Sequence, residues 1–388
     1  MSILDGSSIL VTGGTGSFGK AFITKLLAEH NPKRVVIYSR DELKQWECRA
    51  LFKDDPRLRW FIGDIRDLDR LKRAMHGVDY VVHAAALKQV DTAEYNPYEF
   101  VKTNVIGSQN VIEACIDAGV KKVVALSTDK ASSPINLYGA TKLTADKLFI
   151  LGNHYAAAYP TRFAVVRYGN VMGSRGSIIP IFRRLAEEGK PMPITDERMT
   201  RYWLRIEDGV KFVDHCGQIF RGGETFVKKV PSMKITDLAR AIQPDCELKI
   251  IGIRPGEKLH EAMVSEEESL FTYEYEDKFV IMPQIKMGAS TDNTTYEGET
   301  GKAVPVGFSY TSENNTLWLT PQEIADYLRV GFWEDKGQPE RSYDVAPGGV
   351  LTCDLTDLSA AEQQHARMAL NAWSEVTGIR FNTTSTAG

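Results

Sequence analysis

The stretch that decides the fold is TGGTGSFG at residues 12–19, which follows the apolar run at residues 9–11 and opens a helical pattern. Its glycines have the spacing G-x-x-G-x-x-G. Glycine at such positions permits a tight turn and a close approach of the backbone to a pyrophosphate at a helix N-terminus. Because strand, spacing and helix agree, we predict a phosphate-binding loop formed by Gly13, Thr15, Gly16, Ser17, Phe18 and Gly19.

Further apolar runs follow this loop, with helical stretches between them, at residues 35–38, 60–62, 80–82, 123–126 and 163–166. Apolar strands without alternation, separated by amphipathic helices, indicate a parallel sheet covered on both faces. We therefore predict an α/β fold with a doubly wound parallel sheet, the Rossmann architecture.

Three regions differ in their sequence pattern. We predict a dinucleotide-binding Rossmann domain at residues 1–175 and a smaller α/β substrate-binding lobe at 176–333, with some segments returning to the first domain. Residues 286–315 are rich in Gly, Ser, Thr and Asn and predict a long loop. Residues 334–388 form an atypical extension that begins as a linker and continues as an amphipathic helix at 360–376 and a short strand at 378–381.

Composition excludes several classes of protein. The formal net charge of -4 argues against a nucleic-acid binder, and no apolar run approaches the length of a membrane span. The N-terminus lacks a signal-peptide pattern, so we expect a cytoplasmic protein. Five scattered cysteines without a C-x-x-C pair suggest reduced thiols, and the seven histidines lack paired ligand spacing, so we expect no metal site.

The end of the second strand predicts which cofactor binds. An acid there would hold the ribose 2′-hydroxyl of NAD, whereas Arg40, which follows Ser39, suits the 2′-phosphate of NADP. Alternatively, Arg40 is only a solvated residue and Asp41 or Glu42 holds the ribose. Asp64, after the third strand, is placed to receive the adenine amine. The alanines at 84–86 are small enough to lie beneath a cofactor, although packing alone explains them nearly as well. The predicted cofactor contacts beyond the glycine loop are Ser39, Arg40, Asp41, Lys44, Asp64, Ile65, Ala84, Ala85, Ala86, Lys88, Tyr138 and Lys142.

A second motif carries the chemistry. STDK at residues 127–130 closes the fifth strand, and YGATK at 138–142 opens a helix. The Y-x-x-x-K spacing puts Tyr138 and Lys142 on one helix face. The ammonium of Lys142 can then lower the pKa of Tyr138 and make tyrosinate a usable base.

The chain resembles the UDP-N-acetylglucosamine 4,6-dehydratases that invert C5 and begin pseudaminic acid synthesis for surface or flagellar glycans. The resemblance covers about residues 5–333. The motifs that carry it are TGGTGSFG, STDKASSPINLYGATK, RYGNVMGSRGSIIP, MTRYWLRIEDGV, FVKKVPSMKITDLA and IGIRPGEKLHE. Ordinary sugar-nucleotide dehydratases have Asp-Glu where this chain has Asp129-Lys130. Related retaining enzymes have Met where this chain has Tyr138, and they usually follow membrane spans.

The resemblance implies a hydro-lyase with NADP, a UDP-N-acetylglucosamine substrate and a homo-oligomer, either a dimer or a hexamer. Tyr138 would accept the O4 proton, Lys130 would remove the C5 proton, and Asp129 would protonate the departing C6 hydroxyl. The nicotinamide would take the C4 hydride and return it at C6. Thr128 would hydrogen-bond the substrate near C4. The implied substrate contacts are Lys88, Tyr138, Asn170, Val171, Arg175, Thr195, Arg201, Arg254 and Glu257.

Other interpretations remain open. Lys130 could be a solvated loop charge with Asp129 as a helix cap, Lys88 and Arg254 could form surface ion pairs, and Asn170 could stabilise a turn. The chain could instead be a retaining dehydratase, a nucleotide-sugar 4- or 5-epimerase, or a non-catalytic NADP-binding sensor. The segment at 358–381 is similar to the start of a serralysin-type metalloprotease domain but lacks H-E-x-x-H. It could be a fused fragment, a gene-model artefact or a recruited interaction helix.

Overall fold

The computed structural model forms two compact units, Met1–Leu328 and Arg329–Gly388. The residues that it describes are 2–172, 178–285, 293–328, 349–356, 363–364, 366–368, 370–371, 374 and 380–384. The predicted domain boundaries after residues 175 and 333 lie outside these residues, as do Arg175 and most of the predicted helix at 360–376.

A large sheet organises the first unit and confirms the predicted α/β fold. Its first six strands in chain order are β1 (Ser8–Thr12), β2 (Arg34–Ser39), β3 (Leu58–Ile62), β4 (Tyr80–His83), β5 (Lys122–Thr128) and β6 (Arg162–Tyr168). They run parallel in the spatial order β3-β2-β1-β4-β5-β6. This is the strand order of doubly wound dinucleotide-binding domains.

Later segments of the chain extend this sheet beyond β6. They are β10 (Thr225–Lys228), β15 (Lys278–Ile281), β14 (Thr272–Glu274) and β18 (Lys302–Ala303). Strand β10 pairs parallel to β6, whereas β15, β14 and β18 each pair antiparallel to the preceding neighbour. The sheet is therefore mixed at this edge.

The central strands are apolar throughout because both faces of the sheet are covered. In β1, Ile9 and Val11 belong to one buried cluster with Phe22 and Val210, whereas Leu10 belongs to another with Val111. The helices of this part are α1 (Ser17–Glu29), α2 (Glu42–Leu51), α3 (Leu68–Met75), α4 (Val90–Tyr95), α5 (Pro97–Phe100), a π-helix (Val101–Ile106), α6 (Gly107–Ala118), α7 (Leu137–Tyr155) and α9 (Ile206–Ile219).

A second core lies among shorter elements, where Phe182, Trp203 and Met233 pack together. Strands β7 (Asn170–Val171), β9 (Thr200–Leu204) and β11 (Ser232–Lys234) form one small sheet, and β8 (Met192–Ile194) pairs with β12 (Leu248–Ile250). The first unit also contains helices α8 (Ile178–Glu187), α10 (Ile235–Ile242) and α11 (Pro321–Asp326) and the 3-10 turns Asp129–Ala131 and Glu267–Phe271.

The predicted long loop at 286–315 is wrong in its described part. Residues 293–311 contain β16 (Thr295–Tyr296) paired with β17 (Glu299–Thr300), then β18, and β19 (Tyr310–Thr311), which pairs with β13 (Ala262–Val264). Tyr296 and Tyr310 are buried, which anchors this polar segment. In the second unit, β20 (Val350–Asp354) pairs parallel with β21 (Arg380–Thr384), the strand predicted at 378–381.

Candidate active site

A cavity of about 1040 Å³ opens at the carboxyl ends of the parallel strands. Ligands bind at this edge in open α/β sheets. Every residue predicted for the site lines the cavity except Asp129, which is buried, and Arg175, which is outside the described residues. The structure therefore brings residues from distant parts of the chain, from Gly13 to Glu257, to the wall of one cavity.

The glycine-rich turn at the end of β1 is too tight for larger residues. Gly13 has φ +68°, and a Cβ there would lie 3.0 Å from the backbone of Ala84. A Cβ on Gly19 would lie 2.5 Å from the Cα of Gly14. Helix α1 then begins at Ser17, and its N-cap residue, Gly16, has no side chain to cap the helix. Gly16 and Ser17 line the cavity, so a pyrophosphate would meet the positive end of α1.

Charged residues surround the cavity at the ends of β2 and β3. Arg40 Nη1 lies 3.5 Å from Asp64 Oδ2, and Arg66 Nη2 lies 2.7 Å from the same oxygen. The Asp41 carboxylate caps α2 by accepting from Lys44 N at 3.0 Å, and its Oδ2 lies 2.7 Å from Lys44 Nζ. Asp41 is thus already engaged by its own helix, whereas the half-exposed Arg40 remains at the cavity wall.

A short turn and the start of α7 form the chemical part of the cavity. Thr128 caps the 3-10 turn Asp129–Ala131, and Asn136 caps α7 through a 2.7 Å hydrogen bond from Gly139 N to its Oδ1. Gly139 is essential to the approach of these segments, because a Cβ there would overlap the carbonyl oxygen of Lys130. This contact places the STDK and YGATK motifs side by side.

Lys130 lies in a cluster of charges, which excludes the interpretation as a solvated loop charge. Its Nζ lies 3.1 Å from Asp129 Oδ1 and 3.1 Å from Glu261 Oε1. Both side chains are almost fully buried, and Asn170 Oδ1 lies 3.5 Å from the same Nζ. Burial alone would lower the pKa of Lys130, but the carboxylates of Asp129 and Glu261 outweigh it and raise the pKa.

Tyr138 and Lys142 lie on the same buried face of α7 and line the cavity. Burial raises the pKa of Tyr138 to about 12, although the ammonium of Lys130 and the hydroxyl of Thr128 oppose this shift. The largest lowering effect on Tyr138 therefore comes from Lys130. Lys142 Nζ instead donates a 2.7 Å hydrogen bond to the carbonyl oxygen of Leu126. Burial lowers the pKa of Lys142, and Asp146 partly offsets this shift.

The remaining polar residues line the part of the cavity nearer the shorter elements. Arg254 Nη2 lies 2.7 Å from Glu257 Oε1, and its Nη1 lies 4.0 Å from Asp91 Oδ2. Arg254 is half-exposed, so the surface ion pair that we considered is present and also faces the cavity. Thr195 donates to Glu257 Oε2 at 3.4 Å, and Arg201 Nη2 donates to the carbonyl oxygen of Lys258 at 2.9 Å. Lys88, Asn170 and Val171 complete the predicted set at the cavity wall.

Sequence reasoning missed Glu261. It is the final residue of the motif IGIRPGEKLHE, and its position in that motif was the only signal for it. Among the described residues, no group of three or more His, Cys, Asp or Glu side chains is arranged to hold a metal ion. Within the same residues, no helix is both long and apolar enough to cross a lipid bilayer.

Comparison with known proteins identifies the chain's relatives. The family model described as polysaccharide biosynthesis protein matches residues 9–283. The curated UDP-N-acetylglucosamine 4,6-dehydratase (inverting) of Campylobacter jejuni subsp. jejuni serotype O:2 is 55% identical over 324 residues, which cover 83% of this chain and 97% of the relative.

Two solved structures share the fold and most of the chain. Pen from Bacillus thuringiensis has a TM-score of 0.76 and 37% identity, covering 84% of this chain and 98% of its own. The dTDP-glucose 4,6-dehydratase DesIV from Streptomyces venezuelae, solved with NAD and TYD bound, has a TM-score of 0.59 and 26% identity. That match covers 65% of this chain and 86% of DesIV.

Proposed function

The chain belongs to the polysaccharide biosynthesis protein family and, within it, to the inverting UDP-N-acetylglucosamine 4,6-dehydratases, and we propose on this premise that it dehydrates UDP-N-acetylglucosamine with inversion at C5. The product is UDP-2-acetamido-2,6-dideoxy-β-L-arabino-hex-4-ulose. The observation that carries the proposal is the contact of Lys130 Nζ with Asp129 Oδ1 at 3.1 Å, at the wall of a cavity that also holds Tyr138. This pair supplies an acid and a base for eliminating water.

Three side chains move protons in the proposed reaction. Tyr138 accepts the proton of the substrate O4, Lys130 removes the C5 proton, and Asp129 gives a proton to the departing C6 hydroxyl. A proton then returns to C5 on the opposite face, which gives the inversion. Lys130 must be neutral when it removes the C5 proton, and Asp129 must be protonated when the C6 hydroxyl departs. The 3.1 Å contact between Lys130 Nζ and Asp129 Oδ1 keeps the proposed base and acid side by side.

The cofactor in this proposal is a nicotinamide dinucleotide, which takes up the C4 hydride and returns it at C6 when bound. The glycine turn and the start of α1 would hold its pyrophosphate, since neither Gly13 nor Gly19 leaves room for a side chain. We propose NADP in particular. Arg40 and Lys44 supply positive charge for a 2′-phosphate, and the capping role of Asp41 leaves its carboxylate poorly placed to hold a ribose hydroxyl.

The opposite part of the cavity would hold the UDP-sugar. Arg254 has the planar fork of donors that suits a diphosphate, and Glu257 lies beside it for the uridine ribose. Lys88, Asn170, Val171, Thr195 and Arg201 line the same space and complete the proposed substrate contacts, with Thr128 near the substrate C4 hydroxyl. Binding of a diphosphate by Arg254 would compete with its ion pair to Glu257.

The wider setting follows from the resemblance. We propose that the product enters pseudaminic acid synthesis for a surface or flagellar glycan, that the enzyme works in the cytoplasm, and that it acts as a homo-oligomer, either a dimer or a hexamer. Residues 1–175 would form the dinucleotide-binding domain and 176–333 the substrate-binding lobe.

Mass spectrometry of the reaction tests the proposed function. Purified protein supplied with UDP-N-acetylglucosamine should release a nucleotide sugar lighter by one water, without net oxidation or reduction of the cofactor. The Asp129→Asn variant keeps the size of the side chain and should lose this activity, because an amide cannot donate the acidic proton. A wild-type product with the mass of the substrate would contradict dehydration.

A further inference from the structure

Glu261 joins Lys130 to a distant part of the chain. Its side chain is 3% exposed, and its Oε1 lies 3.1 Å from Lys130 Nζ. Its backbone is held on both sides, because Glu261 N donates to Ser312 Oγ at 3.0 Å and its carbonyl oxygen accepts from Ser312 N at 2.8 Å. A second cation faces the same carboxylate oxygen, since Arg201 Nε lies 3.9 Å from it. The carboxylate is thus fixed against the amine.

Several buried polar atoms near Lys130 have no hydrogen-bond partner among the described residues. Within the part of the chain that the structure describes, Asp129 Oδ2, Glu261 Oε2 and the Tyr202 hydroxyl are buried without a hydrogen-bond partner. Burial and the nearby Tyr310, Asp129 and Glu261 all raise the pKa of Tyr202, which keeps it a neutral phenol beside two carboxyl groups. Buried polar atoms without partners are rare in proteins and call for an explanation, and a catalytic role is one such explanation.

The proposed reaction needs such a role, because a protonated lysine cannot remove the C5 proton. In the structure two carboxylates face one amine, so Lys130 has a second proton acceptor besides Asp129. If Asp129 is protonated and ready to act as the acid, it cannot also accept the proton of Lys130. Glu261 can accept it in that state.

We propose that Glu261 is a positioning residue that holds the amine of Lys130 against Asp129 and accepts the proton that Lys130 must lose. The inference rests on the proposed function. In this step one N–H bond of the Lys130 ammonium breaks, and an O–H bond forms on Glu261 Oε1. The pair stays neutral in total charge, and no other reactant is needed. The amine is then free to take the C5 proton while Asp129 keeps its own proton for the C6 hydroxyl.

The charges around Lys130 determine the direction in which its pKa should change when Glu261 is replaced. The titratable and charged groups that face it or interact with it across the cavity are Lys88, Asp129, Tyr138, Arg201, Lys258 and Glu261. Three of these are cations that disfavour a protonated lysine, and the two carboxylates favour it. Replacing one carboxylate with a neutral amide must therefore lower the pKa of Lys130.

The test measures kcat against pH for the full-length wild type, Glu261→Gln, Glu261→Asp and the control Glu224→Gln. Activity that needs neutral Lys130 rises with pH, so Glu261→Gln should move the rising limb to lower pH by about one unit or more. A lysine of lower pKa is also a weaker base. We therefore expect the kcat of Glu261→Gln at its optimal pH to be at least about tenfold lower than that of the wild type. Glu261→Asp keeps the charge at a greater distance and should shift the limb less.

Glu224 is a buried glutamate that accepts from the Tyr296 hydroxyl at 2.9 Å and has no part in the proposed site. Its glutamine variant should lose stability and keep the wild-type pH profile. A wild-type profile in Glu261→Gln, with the wild type active, would overturn the role of Glu261 alone. If Glu261→Gln does not fold, Glu261→Asp provides the test. A Glu261→Asp variant with the wild-type kcat and an unshifted rising limb of the kcat–pH profile would equally overturn the role of Glu261. Failure of the wild type to dehydrate UDP-N-acetylglucosamine at any pH would overturn the proposed function instead.

Discussion

Lys130 Nζ lies 3.1 Å from Oδ1 of Asp129, its neighbour in sequence. The same oxygen accepts a 2.7 Å hydrogen bond from Thr128 Oγ1, so the acid is held from two directions. Asp129 and Lys130 are the first two residues of the 3-10 turn Asp129–Ala131, which Thr128 caps. The site thereby gains an acid and a base within hydrogen-bond distance of each other.

Loss of the base should abolish the reaction. We expect Lys130→Ala to lower kcat by about 10²- to 10⁴-fold, the usual contribution of general acid–base catalysis. The matched control is Lys102→Ala, a lysine paired with Glu99 outside the cavity, which should keep its activity. Turnover assays with UDP-N-acetylglucosamine decide the matter, and normal turnover of Lys130→Ala would contradict the proposed mechanism.

The close approach of α7 to the STDK turn should be intolerant of any side chain at Gly139. In Gly139→Ala the new Cβ would overlap the carbonyl oxygen of Lys130, so the turn must move. We expect a fall in kcat of about 100-fold, because misplacement of catalytic groups by about 1 Å costs that much. Gly152→Ala lies in the same helix, where the new Cβ would meet Ile112 Cγ2 at 3.2 Å without overlap. The control should stay active, and equal activity of both variants would count against a close-packed site.

Much of the fold and part of the site could be predicted from local sequence. The glycine spacing at 12–19 and the apolar runs predicted the tight turn before α1 and the parallel strands, because both features are encoded by neighbouring residues. The Y-x-x-x-K spacing likewise placed Tyr138 and Lys142 on one helix face, which the structure shows.

Features that depend on distant contacts could not be predicted. Glu261 meets Lys130 only through tertiary folding, and no periodic pattern marks it. The strands β16–β19 are short and polar, so their sequences are indistinguishable from a loop, and they are fixed by the burial of Tyr296 and Tyr310. The antiparallel pairing of β15 with β10 also could not be predicted, because it depends on the path of the chain between them.

Arg40 should select the cofactor. We expect Arg40→Ala to weaken NADP binding by about 10- to 100-fold, the equivalent of one charge-assisted hydrogen bond, and to leave NAD binding unchanged. Calorimetric titration of the cofactor-free protein with each dinucleotide measures this difference. Lys72→Ala serves as the control, since Lys72 pairs with Asp117 away from the cavity. An equal loss of affinity for NADP and NAD, or unchanged affinity for both, would contradict selection through Arg40.

Stability should fall in acid because His83 is buried in its neutral form. Burial, with a smaller effect of Lys142, lowers the pKa of His83 from 6.5 to about 3. Between these values the unfolded chain binds a proton that the folded chain does not. The free energy of unfolding should therefore decrease as the pH falls, by up to about 1.4 kcal/mol per pH unit from this group.

Urea denaturation at pH 7 and pH 5.5 checks this expectation. His83→Asn should lose stability overall, because His83 Nδ1 lies 2.8 Å from Thr12 Oγ1, but should show a smaller difference between the two pH values. The control His76→Asn changes an exposed histidine and should keep the wild-type difference. An unchanged difference in His83→Asn would contradict a neutral buried imidazole.

The most direct test of the central claim is proton NMR of the reaction with UDP-N-acetylglucosamine in deuterated water. The account predicts a new C6 methyl signal, deuterium at C5 and coupling constants of an L-arabino ring. A methyl product that keeps the C5 configuration would contradict inversion. A C4 epimer without a methyl signal would contradict dehydration altogether.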